Sequence, residues 1–322
     1  MHAIALGNEE FEGRNTAYLM EGEPLTLLDT GIATGRTRGQ LHEGLAEYGY
    51  DVPDIEQVVL THFHSDHAGL AGELQRESDA TVYAHAADAP LIEQRAEALA
   101  DLDARRRELF AEWGMPEAER EELLTFLDSH QEIMGEPADV TTIEDGQRIE
   151  TGEMALDTLH TPGHAAGLCC FAFSTGDGTE AFVGDTILPV YTPNVGGADV
   201  RVEAPLEKYL ASLRTLIEHD FERVWPGHRD VIEEPTERAR YILDHHRERT
   251  ERVLSVLREG PADAWSVSAE LFGDLEGIHV MHGPGEAFAH LDHLEDAGHV
   301  ERDGKEYVLT GEPDLESLIP SA

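Results

Sequence analysis

The stretch Thr61-His62-Phe63-His64-Ser65-Asp66-His67, "THFHSDH", follows the branched apolar run "DIEQVVL". The run reads as a buried strand and the motif as the turn that leaves it. Three imidazoles and a carboxylate in one turn cannot all be buried against apolar surface. Protonated they repel one another; neutral, they converge as lone-pair donors. A divalent cation resolves the conflict, because imidazole and carboxylate are its ordinary ligands.

One turn cannot complete such a site. His62 and His64, two apart, can share one side of a strand end, with Asp66 and His67 further round the loop. Three further candidates stand at the ends of expected strands: His164 in "TPGH", Asp185 in "VGD" and His228 in "WPGH". Each lies beside a glycine, where the backbone can turn sharply.

The strand pattern surrounds these motifs. Residues 16–30, "TAYLMEGEPLTLLDT", read as a hairpin around Gly-Glu-Pro. A helix is expected near 36–49, a helix in "AGLAGELQRES" and a strand in "ATVYAHA". Strands return between about 140 and 187, and a helix follows Pro205. Residues 88–134 are different, with apolar positions at helical spacing and a break at Gly114-Met115-Pro116. From about Thr236 the order is helix, helix, helix and hairpin, the last helix in "GEAFAHLDHLEDAGHV" and the turn at Asp303-Gly304.

The succession "THFHSDH", "TPGH", "GD" and "PGH", with "NTAYLMEGEPLTLLDTG" before it, resembles the metallo-beta-lactamase fold hydrolases and their glyoxalase II-like branch. The resemblance covers roughly residues 14–232. It implies an α/β fold, an αββα sandwich, here with a helical insertion at about 88–134. It further implies two divalent metal ions: His62, His64 and His164 on one, Asp66, His67 and His228 on the other, and Asp185 bridging. Asp29, in "LLDTG", matches a residue that orients the ligand loop. Zinc is the default metal, and the His/Asp set also accepts iron or manganese. The implied chemistry is hydrolysis by a metal-bridging hydroxide, with Asp66 orienting or deprotonating the water.

These readings divide the chain into a hydrolase domain, 1–235, and a winged-helix-like domain, 236–322. The insertion is expected to be a self-packed helical subdomain, a dimer contact, or a lid with an apolar wall. Tyr191 and Asn194, in the loop after Asp185, are expected to face the substrate. His85, His130, His160 and His219 are expected to be structural or surface residues. His245, His246, His279, His282, His290, His293 and His299 are expected on solvated helix faces.

Bulk composition narrows the partners. With 66 acidic against 23 basic residues the net charge is -43, spread along the chain, and Lys208 and Lys305 are the only lysines. Such self-repulsion suits a salt-rich cytoplasm, where the Debye length at molar salt falls to about 3 Å. From Glu251 onward there are four basic and sixteen acidic residues, which disfavours nucleic acid as a partner. No apolar run is long enough to span a membrane, and the first residues do not read as a signal peptide. Cys169 and Cys170 are adjacent, so they would face opposite sides of a strand and form no disulfide framework.

Three functions compete. The first is a thioesterase or related carbonyl-ester hydrolase acting on a small-molecule substrate. The second is a metal-dependent nuclease or phosphodiesterase, for which Arg105, Arg106 and Arg107 offer the one dense cationic run. The third is a non-catalytic winged-helix regulator.

Overall fold

Asn15–Met20 is buried at every position, so this strand needs cover on both faces, and the fold supplies it. The computed structural model describes residues 1–7, 13–129, 131–176 and 178–320; His130 lies outside them.

One sheet has six strands in sequence order: β1 (His2–Leu6), β2 (Asn15–Met20), β3 (Thr26–Leu28), β4 (Gln57–Val59), β5 (Thr81–His85) and β6 (Val140–Ile143). The first three pair antiparallel, and β3 to β6 run parallel. The second sheet has the order β11-β10-β9-β8-β7, comprising β7 (Arg148–Glu150), β8 (Ala155–His160), β9 (Cys169–Ser174), β10 (Thr179–Gly184) and β11 (Val224–Pro226). β8, β10 and β11 point the same way, since β9 is antiparallel to its neighbours and β11 parallel to β10.

Tyr18, Met20, Leu28 and Val59 meet Cys169, Phe171, Phe173 and Phe182 between the sheets. Cys170 lies on the other side of β9, in a separate core with Leu206, Leu210 and Leu213. The two cysteines are free and buried, and the strand alternation turns them apart as expected.

The outer face of the first sheet is covered by α1 (Gly35–Glu47) and α3 (Ala71–Ser78), through Leu41, Leu45 and Leu74. Between them α2 (Ser65–Ala68) is a single turn. The second sheet is covered by α7 (Pro205–His219) and by Ala239, Ile242 and Leu243 of α8 (Pro235–Glu259). The layers are therefore α/β/β/α.

The remaining helices build another core. α4 (Ala89–Ile92), α5 (Ala96–Glu112) and α6 (Glu117–Ser129) meet α9 (Ala264–Phe272), α10 (His279–Asp296) and the hairpin of β12 (Val300–Asp303) and β13 (Glu306–Leu309). Leu102, Leu109, Phe110 and Trp113 pack with Val253, Leu254, Val267 and Leu291 in one cluster. The insertion is thus neither packed on itself alone nor a free lid: its apolar excess is covered by the C-terminal helices. A short helix, α11 (Leu315–Leu318), closes the chain.

Two expectations are corrected here. α10 starts at His279, not after Pro284, and the proline is buried inside the helix. His246 and His290 are not on solvated faces; they are 1% and 0% exposed. Nε2 of His290 lies 3.3 Å from Nδ1 of His246, and its Nδ1 lies 2.8 Å from the Thr250 hydroxyl. Those contacts satisfy polar atoms that helical periodicity alone assigned to water, and burial holds both imidazoles well below the usual histidine range.

The acidic surface yields a first prediction. Raising KCl from about 0.1 M to about 1 M is expected to raise the thermal midpoint, because screening relieves the -43 net charge. Differential scanning fluorimetry measures this, and a flat or falling midpoint would remove the repulsion argument.

Candidate metal centre

All seven sequence candidates converge at one edge of the sandwich. Each follows a strand or stands in the turn after one: His62, His64, Asp66 and His67 after β4, His164 after β8, Asp185 after β10 and His228 after β11. Every one of these strands points to that edge, so the loops meet there. Strand β2 backs the His228 loop: the Thr16 N–H donates to Gly227 O at 2.9 Å and the Tyr18 hydroxyl to Pro226 O at 2.6 Å.

Among the described residues, three groups have ligand atoms mutually within 4.8 Å: His62, His64 and His164; His62, His67 and Asp185; Asp66, His67 and His228. His62 Nε2 lies 2.8 Å from His64 Nδ1, which lies 3.1 Å from His164 Nε2. Asp185 reaches both sides, with Oδ1 3.4 Å from His67 Nε2, and Oδ2 3.3 Å from His228 Nε2 and 3.7 Å from His164 Nε2. Asp66 Oδ2 is 3.3 Å from His228 Nε2 and accepts from Asn15 Nδ2, also at 3.3 Å.

The outer hydrogen bonds set the tautomers. His64 Nε2 faces Ala198 O at 3.1 Å and His164 Nδ1 faces Asn194 O at 2.9 Å. A carbonyl only accepts, so both of those nitrogens carry hydrogen. The Thr61 hydroxyl donates to Asp29 at 2.8 Å and so accepts from His62 Nδ1 at 3.1 Å. The inward nitrogens of His62, His64 and His164 are therefore bare lone pairs in contact. On the other side, His67 Nδ1 donates to Asp29 Oδ2 at 2.8 Å. His67 Nε2, Asp185 Oδ1 and both nitrogens of His228 are buried without a hydrogen-bond partner. Converged lone pairs and orphaned polar atoms are what a cation would satisfy, and this donor set fits two divalent ions.

Asp29 sits at a left-handed φ of 56° and also accepts the Thr61 N–H at 2.8 Å. It thus ties both ends of the "THFHSDH" turn, as the sequence suggested. Asn194 departs from expectation: its side chain turns away towards α10, where Nδ2 donates to His282 O at 3.0 Å. Tyr191 is 49% exposed, beneath the Arg229 guanidinium at 4.8 Å. Sequence reading missed Asp88, Asp199 and Arg201, buried or half-buried beside the centre. No motif surrounds them, and among 66 acids a buried pair gives no signal.

The charges divide across the site. Burial, then neighbouring imidazoles, holds His62 low and His64 down at about 4. Burial opposes protonation of His228 too, but Asp185 and Asp66 outweigh it and raise its pKa to about 10. For His67 the three carboxylates Asp185, Asp66 and Asp29 likewise outweigh burial. Burial disfavours the ionised forms of Asp66 and Asp185, yet His67 and His228 hold both below the carboxylate range.

A second prediction follows. Without metal, the surrounding carboxylates favour the protonated forms of His67 and His228, so loading is expected to release protons from these imidazoles and from water that the cations acidify. Calorimetry in buffers of different ionisation heat counts them, and uptake or no release would contradict the charge assignment. The stabilisation from His228 is full below its ordinary pKa and is lost as pH rises towards about 10. Metal-free protein should lose stability across that window.

The chain belongs to the metallo-beta-lactamase superfamily, whose family model matches residues 11–228. It is a metallo-hydrolase of that superfamily. It is 33% identical over 288 residues, 86% of each chain, to the probable metallo-hydrolase YqjP of Bacillus subtilis. A crystal structure of a metallo-beta-lactamase family protein of Thermus thermophilus superposes with a TM-score of 0.82 at 29% identity, covering 96% of this chain and 98% of that one. An atrochrysone carboxyl ACP thioesterase of Aspergillus fumigatus is 24% identical over 279 residues, 84% of this chain and 70% of its own. No helix among the described residues is long and apolar enough to cross a membrane.

Proposed function

We propose that the protein is a two-metal hydrolase of thioesters or related carbonyl esters, with His62, His64 and His164 on one ion, Asp66, His67 and His228 on the other, and Asp185 between them. The observation that carries the metal reading is the convergence of three bare imidazole nitrogens opposite orphaned atoms of His67, His228 and Asp185. When bound, divalent cations supply Lewis acidity, acidifying water and polarising the substrate carbonyl. Zinc is the first choice for this donor set.

The chain's own groups then have defined tasks. Asp66, held as the carboxylate by its place among the ligands, would orient the attacking water by accepting its hydrogen. Asp29 holds the Thr61–His67 turn in register, and Asn15 fixes the Asp66 carboxylate. Support for a thioester comes from the likeness to a fungal acyl-carrier thioesterase. We read residues 236–322 as a winged-helix-like unit used for packing, not for reading nucleic acid. Its third helix, α10, has no Arg or Lys and buries one face in the protein. Arg105 and Arg107, the basic run a nuclease would need, are paired with Glu108 and Asp103 of their own helix.

The test is a panel of S-acyl thioesters against an activated phosphodiester, in about 1 M KCl, with zinc-loaded protein and Asp66→Asn as control. Thioester turnover lost in the variant is the expected result. Phosphodiester turnover alone would overturn the thioester reading and favour a nuclease.

A further inference from the structure

Residues 194–201 contain none of the seven candidate ligands, yet two of their carbonyls hold two ligand histidines. His164 Nδ1 faces Asn194 O and His64 Nε2 faces Ala198 O. We infer that this segment is the positioning element of the His62/His64/His164 metal subsite, held on one side by α10 and on the other by an Asp88–Arg201–Asp199 brace. The inference rests on the metal reading above.

The first anchor is a close approach to α10. Asn194 Nδ2 donates to His282 O at 3.0 Å and to Glu286 Oε2 at 3.4 Å, while its Oδ1 accepts the Gly197 N–H at 3.1 Å. Glu286 is itself ion-paired with Arg249 of α8. Glycines make the approach possible: a Cβ on Gly285 would lie 2.3 Å from Gly197 Cα, and Gly196 stands at φ 91°. The C-terminal helices therefore press directly on the segment that orients the ligands.

The second anchor is charged and buried. The Arg201 guanidinium donates to Asp88 Oδ1 and Asp199 Oδ2, each at 2.7 Å, and lies 4.4 Å over the Phe63 ring. Asp199 Oδ2 accepts the Ala166 N–H at 2.8 Å. Asp88 accepts the Phe63 N–H at 3.0 Å and the Gly167 N–H at 3.0 Å. Phe63 lies between His62 and His64, and Gly167 follows His164 in the same loop. One carboxylate thus fixes the spacing of both ligand loops. These bonds bear on one subsite: the Asp66/His67/His228 group is held instead by Asp29, Asn15 and β2.

The consequence is an asymmetry that general stability would not produce. Full-length wild type, Asn194→Ala, Asp88→Asn and Arg201→Met are loaded with zinc and challenged with graded chelator. Metal per chain is read by elemental analysis, and cobalt-loaded samples give the ligand-field spectrum. Arg201→Lys serves as the conservative variant, and Leu213→Ala, in the core under α7, as a destabilised control. Wild type is expected to keep two equivalents. Asn194→Ala and Asp88→Asn, which loosen the carbonyls and loops that hold the ligands without removing a ligand's own partner, should lose one of them up to about 10-fold more readily, the lower end of the scale for an outer partner, and keep the other unchanged. Arg201→Lys should fall between wild type and Arg201→Met, and Leu213→Ala should match wild type. If Asp88→Asn fails to fold, Asn194→Ala, at the polar edge of the segment, carries the test. Wild type that never holds two equivalents overturns the metal reading and this inference with it. Two equivalents in wild type, with variants that lose both together or neither, overturns this inference alone.

Discussion

Asp185→Asn is expected to lower kcat on a thioester substrate by about 10³-fold or more, while the far-ultraviolet spectrum stays native. The side chain reaches histidines of both subsites, at 3.3 Å, 3.4 Å and 3.7 Å. Asparagine keeps the shape but removes the negative charge and offers an amide nitrogen in place of one oxygen. Loss of Lewis-acid stabilisation is worth several kcal/mol, and each 1.36 kcal/mol is tenfold in rate. The change also withdraws the main support of the raised His228 pKa, so that metal-free protein should lose its stability at lower pH than wild type. Activity within about threefold of wild type would exclude a bridging role for this carboxylate.

Gly227→Ala should also be damaging, to a smaller degree, although it replaces no ligand. A Cβ at this position would lie 2.4 Å from His67 Cε1 and 2.8 Å from Asp185 Oδ1. Neither neighbour can yield. His67 is pinned through Nδ1 to Asp29, and Asp185 is enclosed at 4% exposure. Overpacking of this kind costs about 1–3 kcal/mol in strain. A displacement of about 1 Å at the reacting centre can cost about 10²-fold in rate. The expected outcome is a folded protein with weakened metal retention and activity reduced by about that factor. Unchanged metal content and unchanged kcat would show that the His67–Asp185 spacing does not matter.

What the sequence revealed and what it concealed follow from the range of the interactions. The seven histidines and aspartates were legible because each stands in a short motif directly after a strand, so local chemistry and position agree. Asp29 was legible by resemblance, and its bonds to Thr61 and His67 supply the physical reason. Asp88, Asp199 and Arg201 were not, since their meaning lies in contacts spanning up to 113 residues of chain. The insertion helices announced an apolar face but not what covers it; Val253, Leu254 and Leu291 supply the cover from the far end of the chain. His246 and His290 were misread for the same reason, because only tertiary contact distinguishes a buried histidine pair from a wet one. Asn194 was placed in the right loop with the wrong orientation: its backbone serves His164 and its side chain serves α10.

Two cations held at this one edge of the sandwich are proposed to hydrolyse a thioester. Metal-stripped protein titrated with zinc in about 1 M KCl, with thiol release followed at each addition, tests it most directly. Thioester turnover is expected to rise to its plateau only as the second equivalent is bound, and Asp185→Asn is expected never to reach it. No thiol release with two equivalents bound, or a full rate with one, would contradict it.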